Sequence, residues 1–165
     1  MSCLKHVNQD YTKPGVTHTL IKYVYSHAHA SGGLAVDPNH AAEQMERYRK
    51  IWGKSDGQQV VHYVYALSEE ESARIVSTGR IIQLAYAICT YFADSYQIIF
   101  GVHRDERWHI HFVMNSVSHV DGSRYRGKKK ELYSFMNSLK KIVKPFGVNS
   151  VKYEPKDKKA KVRGT

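Results

Sequence analysis

The sequence predicts an α/β fold in which a single antiparallel β-sheet is flanked by helices. Its 165 residues are enough for one ordinary domain with a single core. Segments with helical spacing of apolar residues alternate with β-branched and aromatic segments, and two of the latter follow one another across a tight polar connection. Strands before, between and after helices, together with one hairpin, are typical of helices packed on a sheet.

In the first half of the chain, turn and cap residues separate the predicted elements. Residues 3–8 predict a short strand, and Pro14 is suited to the first turn of a helix that runs to about Ser26. Residues 27–36 lack periodicity and contain two adjacent glycines, which predicts a mobile surface loop. Asp37, an N-cap followed by proline, starts a second helix that we expect to end near Trp52.

The second half predicts a strand, a long helix, a hairpin, a further helix and a last strand. The β-branched and aromatic segment over residues 59–67 predicts a strand. Ser68, followed by three glutamates, starts a helix predicted to continue to residue 93. The remaining segments are the two hairpin strands, a helix and a short strand, predicted over residues 96–104, 108–117, 131–144 and 149–153.

The net charge of +10 lies entirely in the C-terminal quarter of the chain. Residues 120–165 hold 14 of the 25 Lys and Arg residues but only 4 of the 15 Asp and Glu residues. Such a segregated basic segment suits a polyanion such as nucleic acid or an anionic membrane surface, and a solvated tail is the alternative. We expect no transmembrane segment or secretion signal, and two cysteines are too few for a disulfide scaffold, so a reducing cytoplasm is predicted.

The densest chemistry lies in the predicted hairpin. Residues two apart on a strand share a face, so His109, His111 and Asn115 are predicted to project together, and the facing strand brings His103 beside them. With Gly101 leaving space nearby, three imidazoles would form a metal site with positions open for water or substrate. The alternative is a set of polar residues on a half-exposed strand. We interpret the separate pair His27 and His29, in the predicted loop, as non-functional.

These residues resemble a known family. His103-Arg104-Asp105, followed by His109-Ile110-His111 and then Asn115, resembles the signature motif of plasmid mobilisation relaxases of the MobA/VirD2 type. They are HUH endonucleases, named for two histidines around a hydrophobic residue. The resemblance covers about residues 3–150, and the other segments that carry it are residues 20–24, 33–45, 62–67 and 121–122.

The resemblance implies a conjugative relaxase that nicks transfer-origin DNA at one site on one strand and rejoins the strand after transfer. A tyrosine hydroxyl would attack the scissile phosphate to give a 5′-phosphotyrosine, with a divalent metal ion, Mg²⁺ or Mn²⁺ before Zn²⁺, Co²⁺ or Ni²⁺, polarising that phosphate. The expected partners are single-stranded or hairpin origin DNA, a relaxosome accessory protein and a type IV secretion coupling protein. No membrane partner is expected, and the protein would act in the bacterial cytoplasm and be translocated with the DNA.

The resemblance also implies a role for individual residues and a domain division. Tyr23 is the predicted nucleophile, since Tyr25 lies about 200° away around a helix. The predicted metal ligands are His103, His109 and His111. Residues 1–153 would form the nuclease domain, and residues 154–165 a basic tail that starts a linker to further domains.

Further residues are assigned to the surroundings of this site. Asp105 is expected to orient a ligand or base, or else to face solvent in the hairpin turn. His62 would contact phosphate or fill the sheet face, and Asn115 would donate to phosphate. A backbone clamp with two aromatic side chains that stack on unpaired bases is predicted from Arg124, Arg126, Lys128, Lys129, Lys130, Trp108 and Tyr125, with a solvated basic loop as the alternative.

Two other functions stay open from the sequence. A rolling-circle replication initiator would use an overlapping set of residues, but the position of Tyr23 before the histidine motif favours the relaxase. A non-catalytic module that binds a structural metal and nucleic acid is the alternative from a different class, and formation of a covalent DNA adduct would separate it from either enzyme.

Overall fold

Six strands and five helices make up the computed structural model, which describes residues 1–75 and 77–154. The strands are β1 Ser2–His6, β2 Ala30–Leu34, β3 Val60–Ala66, β4 Ile98–Arg104, β5 Trp108–Asn115 and β6 Val151–Glu154. The helices are α1 Val16–Tyr25, α2 Ala41–Ile51, α3 Glu69–Arg74, α4 Thr78–Ala93 and α5 Lys129–Val143. Short 3₁₀ turns lie at Pro38–His40 and Lys144–Phe146. Most of the predicted basic tail, residues 155–165, lies outside the described residues.

The strands form one sheet in the order β2-β4-β5-β3-β1-β6. The predicted α/β fold, with one sheet flanked by helices, is confirmed. One detail differs, because β6 pairs parallel to β1 while all the other neighbours in the sheet are antiparallel. A parallel pair needs a long crossover, and these two strands lie near opposite ends of the described chain.

Alternation of side chains along the strands gives the sheet two different faces. One face packs under α4 and α5, with Phe100, Ile110 and Phe112 fully or almost fully buried there. The other face packs under α1 and α2 through Ile99 and Val113. No helix among residues 1–75 and 77–154 has the length and apolar character needed to cross a membrane.

The prediction of a mobile loop over residues 27–36 is wrong for its central part, which forms strand β2 at the edge of the sheet. The two glycines that suggested a loop are required by close packing. A Cβ at Gly33 would lie 2.7 Å from the carbonyl oxygen of Ile98, and one at Gly32 would overlap the Tyr86 hydroxyl. Glycine here permits a close approach of two strands and a helix, which sequence periodicity does not reveal.

The single helix predicted over residues 68–93 is also wrong, because the chain forms α3 and α4 with a break between them. The predicted start is correct, since Ser68 and Glu71 form a reciprocal capping box. Ile75 then takes an extended conformation that buries its side chain in the core, and Ser77 caps α4 by accepting a hydrogen bond from the Arg80 N–H. Burial of the Ile75 side chain in the core therefore stabilises the break more than a continuous helix would be stabilised by helical propensity.

Candidate active site

Three histidines lie together on the sheet face that packs under α1. His103 is directly opposite His109 in the β4–β5 pair, and His111 is opposite Gly101. The ring centroids of the three imidazoles are 5.0–5.5 Å apart. Strand register thus brings together the side chains that the sequence placed on one face.

Helix α1 crosses this face in contact with the backbone of β4. A Cβ at Gly101 would lie 2.5 Å from the carbonyl oxygen of Val24, so the glycine lets the helix approach the strand closely. The same carbonyl accepts a hydrogen bond from His103 Nε2 at 2.7 Å. The prediction that Gly101 leaves open space beside the histidines is therefore wrong, since the helix backbone fills that space.

Among the three tyrosines near the start of the chain, Tyr23 alone is exposed beside the histidines. Its side chain is 61% exposed, and its ring meets the His111 ring edge-on with centroids 5.9 Å apart. Tyr25 donates its hydroxyl hydrogen bond to Pro38 O, away from the histidines. Tyr11 is 5% exposed, and burial raises its pKa to about 12. Tyr23 therefore has the accessible hydroxyl.

A chain of hydrogen bonds leads from the buried Tyr11 to the histidines. The Tyr11 hydroxyl lies 3.0 Å from His62 Nδ1, and His62 Nε2 lies 3.0 Å from His111 Nδ1. Burial lowers the pKa of His62 to about 4, and burial together with the neighbouring imidazoles lowers the pKa of His111 to about 3. Both rings are therefore neutral at neutral pH, which is the form that binds a metal.

The placement of His62 favours one of the two roles considered for it. Its side chain is buried under Tyr11 and fills the sheet face, and its role as a phosphate contact stays a prediction. Sequence reasoning missed Tyr11, because the loop between β1 and α1 has no pattern that indicates which of its side chains turn inward.

Each of the three histidines has one ring nitrogen engaged by the protein. Val24 O holds His103 Nε2, His62 holds His111 Nδ1, and the Arg107 carbonyl lies 3.4 Å from His109 Nδ1. The second nitrogen of each ring is left to act as a ligand, which is how metal-binding imidazoles are usually oriented. As the side chains stand, no three His, Cys, Asp or Glu residues within 1–75 and 77–154 are placed to hold a metal ion. The donor chemistry nevertheless fits a divalent cation.

Asp105 lies in the hairpin turn, with its side chain 73% exposed. Its Oδ1 accepts a hydrogen bond from the Arg107 N–H, and that bond holds the pKa of the carboxyl below its usual value. The same oxygen lies 3.9 Å from His109 Nδ1. The residue thus shapes the turn and stands next to one of the histidines.

Three residues assigned to DNA contact are buried and have little or no surface to offer a DNA strand. Trp108 packs in the core with the Arg104 guanidinium over its ring, 4.7 Å from the ring centroid. The Tyr125 hydroxyl lies 3.0 Å from the Tyr63 hydroxyl inside the core. Asn115 has no exposed surface. Trp and Tyr side chains pack in protein cores as readily as they stack on bases. The sequence alone therefore could not show which of the two these residues do.

The basic loop divides into an anchored and an exposed part. Arg124 donates hydrogen bonds to the carbonyl oxygens of Gln58 and Asp56, at 2.7 and 2.8 Å, and so fastens this loop to the turn before β3. These contacts use part of its hydrogen-bonding capacity, and its role in a DNA clamp stays a prediction. Arg126 and the three lysines 128–130 are exposed.

Asn115 belongs to a buried polar network around Arg49, which the sequence did not reveal. The Arg49 guanidinium is almost fully buried and donates to Asn115 Oδ1, Thr17 Oγ1 and Gln59 Oε1 at 3.0–3.3 Å. Burial lowers the Arg49 pKa to about 10. The network joins the first turn of α1 to the end of β5, which are the elements that carry Tyr23 and two of the histidines.

We expect Arg49→Met to lower the free energy of unfolding by about 2–4 kcal/mol, because it leaves several buried acceptors without a donor. Arg47→Met, at an exposed position two residues away on the same helix, is expected to change it by less than about 0.5 kcal/mol. Urea unfolding of both variants measures the difference. Equal losses in the two variants would contradict a structural role for the network.

Taken together, the sheet, the histidines of β4 and β5 and the tyrosine of α1 have the arrangement expected of the HUH endonuclease class. Residues 22–148 match the family described as "Relaxase: MobA/VirD2-like, nuclease domain". The chain therefore belongs to this family, as its motif predicted.

Similar proteins come from Staphylococcus aureus. One protein named rlx is 28% identical over 112 residues, which cover 67% of this chain and 34% of the relative. Another is 24% identical over 127 residues, covering 76% of this chain and 37% of the relative. The chain thus spans about a third of the length of these curated relatives. A solved structure described as "Molecular Basis of Vancomycin Resistance Transfer in Staphylococcus aureus" shares the fold, with a TM-score of 0.57 and 12% identity, over 95% of this chain and 98% of the other.

Proposed function

We propose that this chain is the nuclease part of a conjugative relaxase that nicks and rejoins one strand of transfer-origin DNA. The observation that carries the proposal is the exposed Tyr23, whose ring lies 5.9 Å from that of His111 in the histidine cluster. A hydroxyl in this place reaches a phosphate bound over the histidines, and attack by a protein hydroxyl keeps the cut end attached to the protein.

In the proposed reaction, the Tyr23 oxygen forms a bond to the scissile phosphorus as the bond from phosphorus to the 3′ oxygen breaks. The hydroxyl proton leaves Tyr23, and the released 3′ oxygen takes up a proton. His103, His109 and His111 would hold the divalent cation, whose charge offsets the charge that develops on the phosphoryl oxygens. The chain's own contribution is to orient these rings, with Val24 O holding His103 and His62 holding His111.

Two adjoining cavities support a path for the DNA strand. One, of about 550 Å³, is lined by Tyr23, His62 and His111, and the other, of about 240 Å³, is lined by His6 and Arg126. They share three lining residues, which are Val7, Gln9 and Tyr11. A strand that enters at Tyr23 therefore passes from the histidines towards the basic loop.

The wider setting is proposed on family membership alone. As a relaxase, the protein would act in the bacterial cytoplasm on single-stranded or hairpin origin DNA, with an accessory protein, and would leave the cell with the DNA through a type IV secretion coupling protein. Mg²⁺ or Mn²⁺ is the proposed metal on the same ground, because imidazole ligands by themselves suit Zn²⁺ or Ni²⁺ as well.

The test is incubation of the protein with Mn²⁺ and single-stranded oligonucleotides that tile the DNA on both sides of its gene. We expect one oligonucleotide to yield a shorter fragment with a free 3′ hydroxyl and a protein–DNA band that survives a denaturing gel. DNA binding without any covalent product would contradict the proposal and favour a non-catalytic binding module.

Replacing Lys128, Lys129 and Lys130 with Ala tests the exposed part of the basic loop. If these lysines contact phosphates, binding should weaken similarly for all sequences, and the slope of log affinity against log salt should flatten by about 0.7 per lost contact on a single strand. Cleavage at saturating DNA should be nearly normal, because only ground-state binding is lost. An unchanged slope in a fluorescence-anisotropy titration would show that the lysines form a solvated surface.

A further inference from the structure

Helix α5 has an exposed basic face, of which the proposed function uses only the first two lysines, Lys129 and Lys130. At 100° per residue, its exposed residues other than Ser134 span an arc of about 120°. We call this the α5 stripe, and it consists of Lys129, Lys130, Tyr133, Asn137, Lys140, Lys141 and, one residue beyond the helix end, Lys144. Glu131 is the only acidic residue in α5 and lies about 80° outside the arc. The stripe therefore presents five cations with no carboxylate among them.

The opposite side of α5 is fully used by the core. Phe135, Met136, Leu139 and Val143 are buried against α4 and the sheet. Helices that lie on a membrane need a free apolar face, and the exposed side of α5 has no Trp, Phe or Leu to insert. A polyanion that binds by charge alone fits this surface better than a bilayer does.

From Lys129 to Lys144 the stripe is about 22 Å long, because each residue of an α-helix adds about 1.5 Å. Duplex DNA carries one phosphate charge per about 1.7 Å of its axis, a higher linear charge density than a single strand has. A row of lysines on a helix gains the most electrostatic binding energy from the nucleic acid with the highest density of phosphates. Duplex DNA is therefore favoured over a flexible single strand.

The stripe also lies where such a duplex can be reached from the active site. Helix α5 packs on the sheet face opposite the histidines, so the stripe is separate from the catalytic cavity. Its first lysines directly follow the loop of Arg126, which lines the cavity next to Tyr11. DNA that leaves the active site along these cavities arrives at the N-terminal end of the stripe.

We propose that the α5 stripe binds the sugar–phosphate backbone of duplex DNA adjoining the strand that is nicked. This inference rests on the proposed function, because it presumes a DNA substrate at the histidines. It adds a second, sequence-independent contact area that holds the double-stranded part of the origin while the single strand is cleaved on the other side of the sheet.

The test uses a triple variant, Lys140→Gln with Lys141→Gln and Lys144→Gln, which leaves the loop lysines and the active site intact. Two probes are compared by fluorescence anisotropy, a DNA hairpin with a single-stranded extension and the extension alone. We expect affinity for the hairpin probe to fall about tenfold at moderate salt and its salt slope to flatten by up to about 3. Affinity for the extension alone should stay the same, and circular dichroism should show an unchanged fold.

Two controls make the result specific. Replacing the same three lysines with Arg should keep the hairpin affinity. Replacing three exposed basic residues on the other side of the molecule, Lys13, Arg47 and Lys50, with Gln removes equal charge and should lower hairpin affinity much less. An equal loss in both Gln variants would show a general effect of net charge and overturn the inference.

Other outcomes also decide the matter. Equal losses for both probes, or no loss for either, would overturn the assignment to duplex DNA. Loss of binding to vesicles containing phosphatidylserine, with DNA binding unchanged, would make the stripe a membrane surface. Covalent adduct formation by the unmodified protein is followed in parallel with origin DNA, so that failure of the nicking proposal is distinguished from failure of this one.

Discussion

Tyr23→Phe is expected to abolish the covalent protein–DNA product while leaving the fold and DNA affinity intact. The substitution removes only the attacking oxygen, and the side chain is 61% exposed, so no buried hydrogen bond is lost. We expect adduct formation to fall below detection on a denaturing gel, since a phenyl ring has no group that can form the phosphodiester. Anisotropy with the same oligonucleotide should give an unchanged affinity.

Tyr25→Phe is the matched control for this experiment. It removes a hydroxyl two residues away on α1 that donates to Pro38 O and points away from the histidines. Adduct formation should therefore persist in Tyr25→Phe. Adduct formation by Tyr23→Phe, with loss in Tyr25→Phe or in Tyr11→Phe instead, would show that the nucleophile is a different tyrosine.

His109→Ala and His111→Ala should each remove one of three proposed metal ligands and sharply lower both Mn²⁺ affinity and nicking. Loss of even a residue that only orients a ligand typically costs 10–100-fold in metal affinity or activity, so loss of a ligand should cost at least about that much. Isothermal titration calorimetry with Mn²⁺ measures affinity independently of the reaction.

His29→Ala provides the comparison, because His29 is exposed and contacts Trp108 rather than the three histidines. Its Mn²⁺ affinity should match that of the unmodified protein. Unchanged Mn²⁺ binding in His109→Ala would rule out the proposed metal site even if nicking were impaired.

Local rules were sufficient to predict how the histidines cluster. The two-residue period of a strand places His109 and His111 on one face, and a short polar turn fixes the register that brings His103 opposite His109. Both rules depend only on neighbouring residues. The helix that carries Tyr23 was predicted equally well, because its buried residues Leu20, Ile21 and Val24 follow helical spacing.

Burial of individual polar and aromatic side chains could not be predicted in this way. Asn115 shares a strand face with the histidines, yet Arg49 and Met45 from another element cover it. His62 lies on the same face and is covered by Tyr11. Tyr11 belongs to the loop between β1 and α1, which has no sequence pattern that predicts its position. Whether such a side chain is exposed or buried depends on which distant part of the chain packs over it. The periodicity of a single sequence does not show which part that is.

At Gly101, strand β4, which carries His103, meets helix α1, which carries Tyr23, with main chain against main chain. At this contact no side chain of β4 separates the two backbones, so the height of Tyr23 above the imidazoles depends on how closely helix and strand approach each other. Any other amino acid at position 101 would push α1 away from β4 and so move the proposed nucleophile away from the histidines. The distance between the Tyr23 hydroxyl and the histidines is therefore set by the smallest side chain available, the hydrogen atom of Gly101.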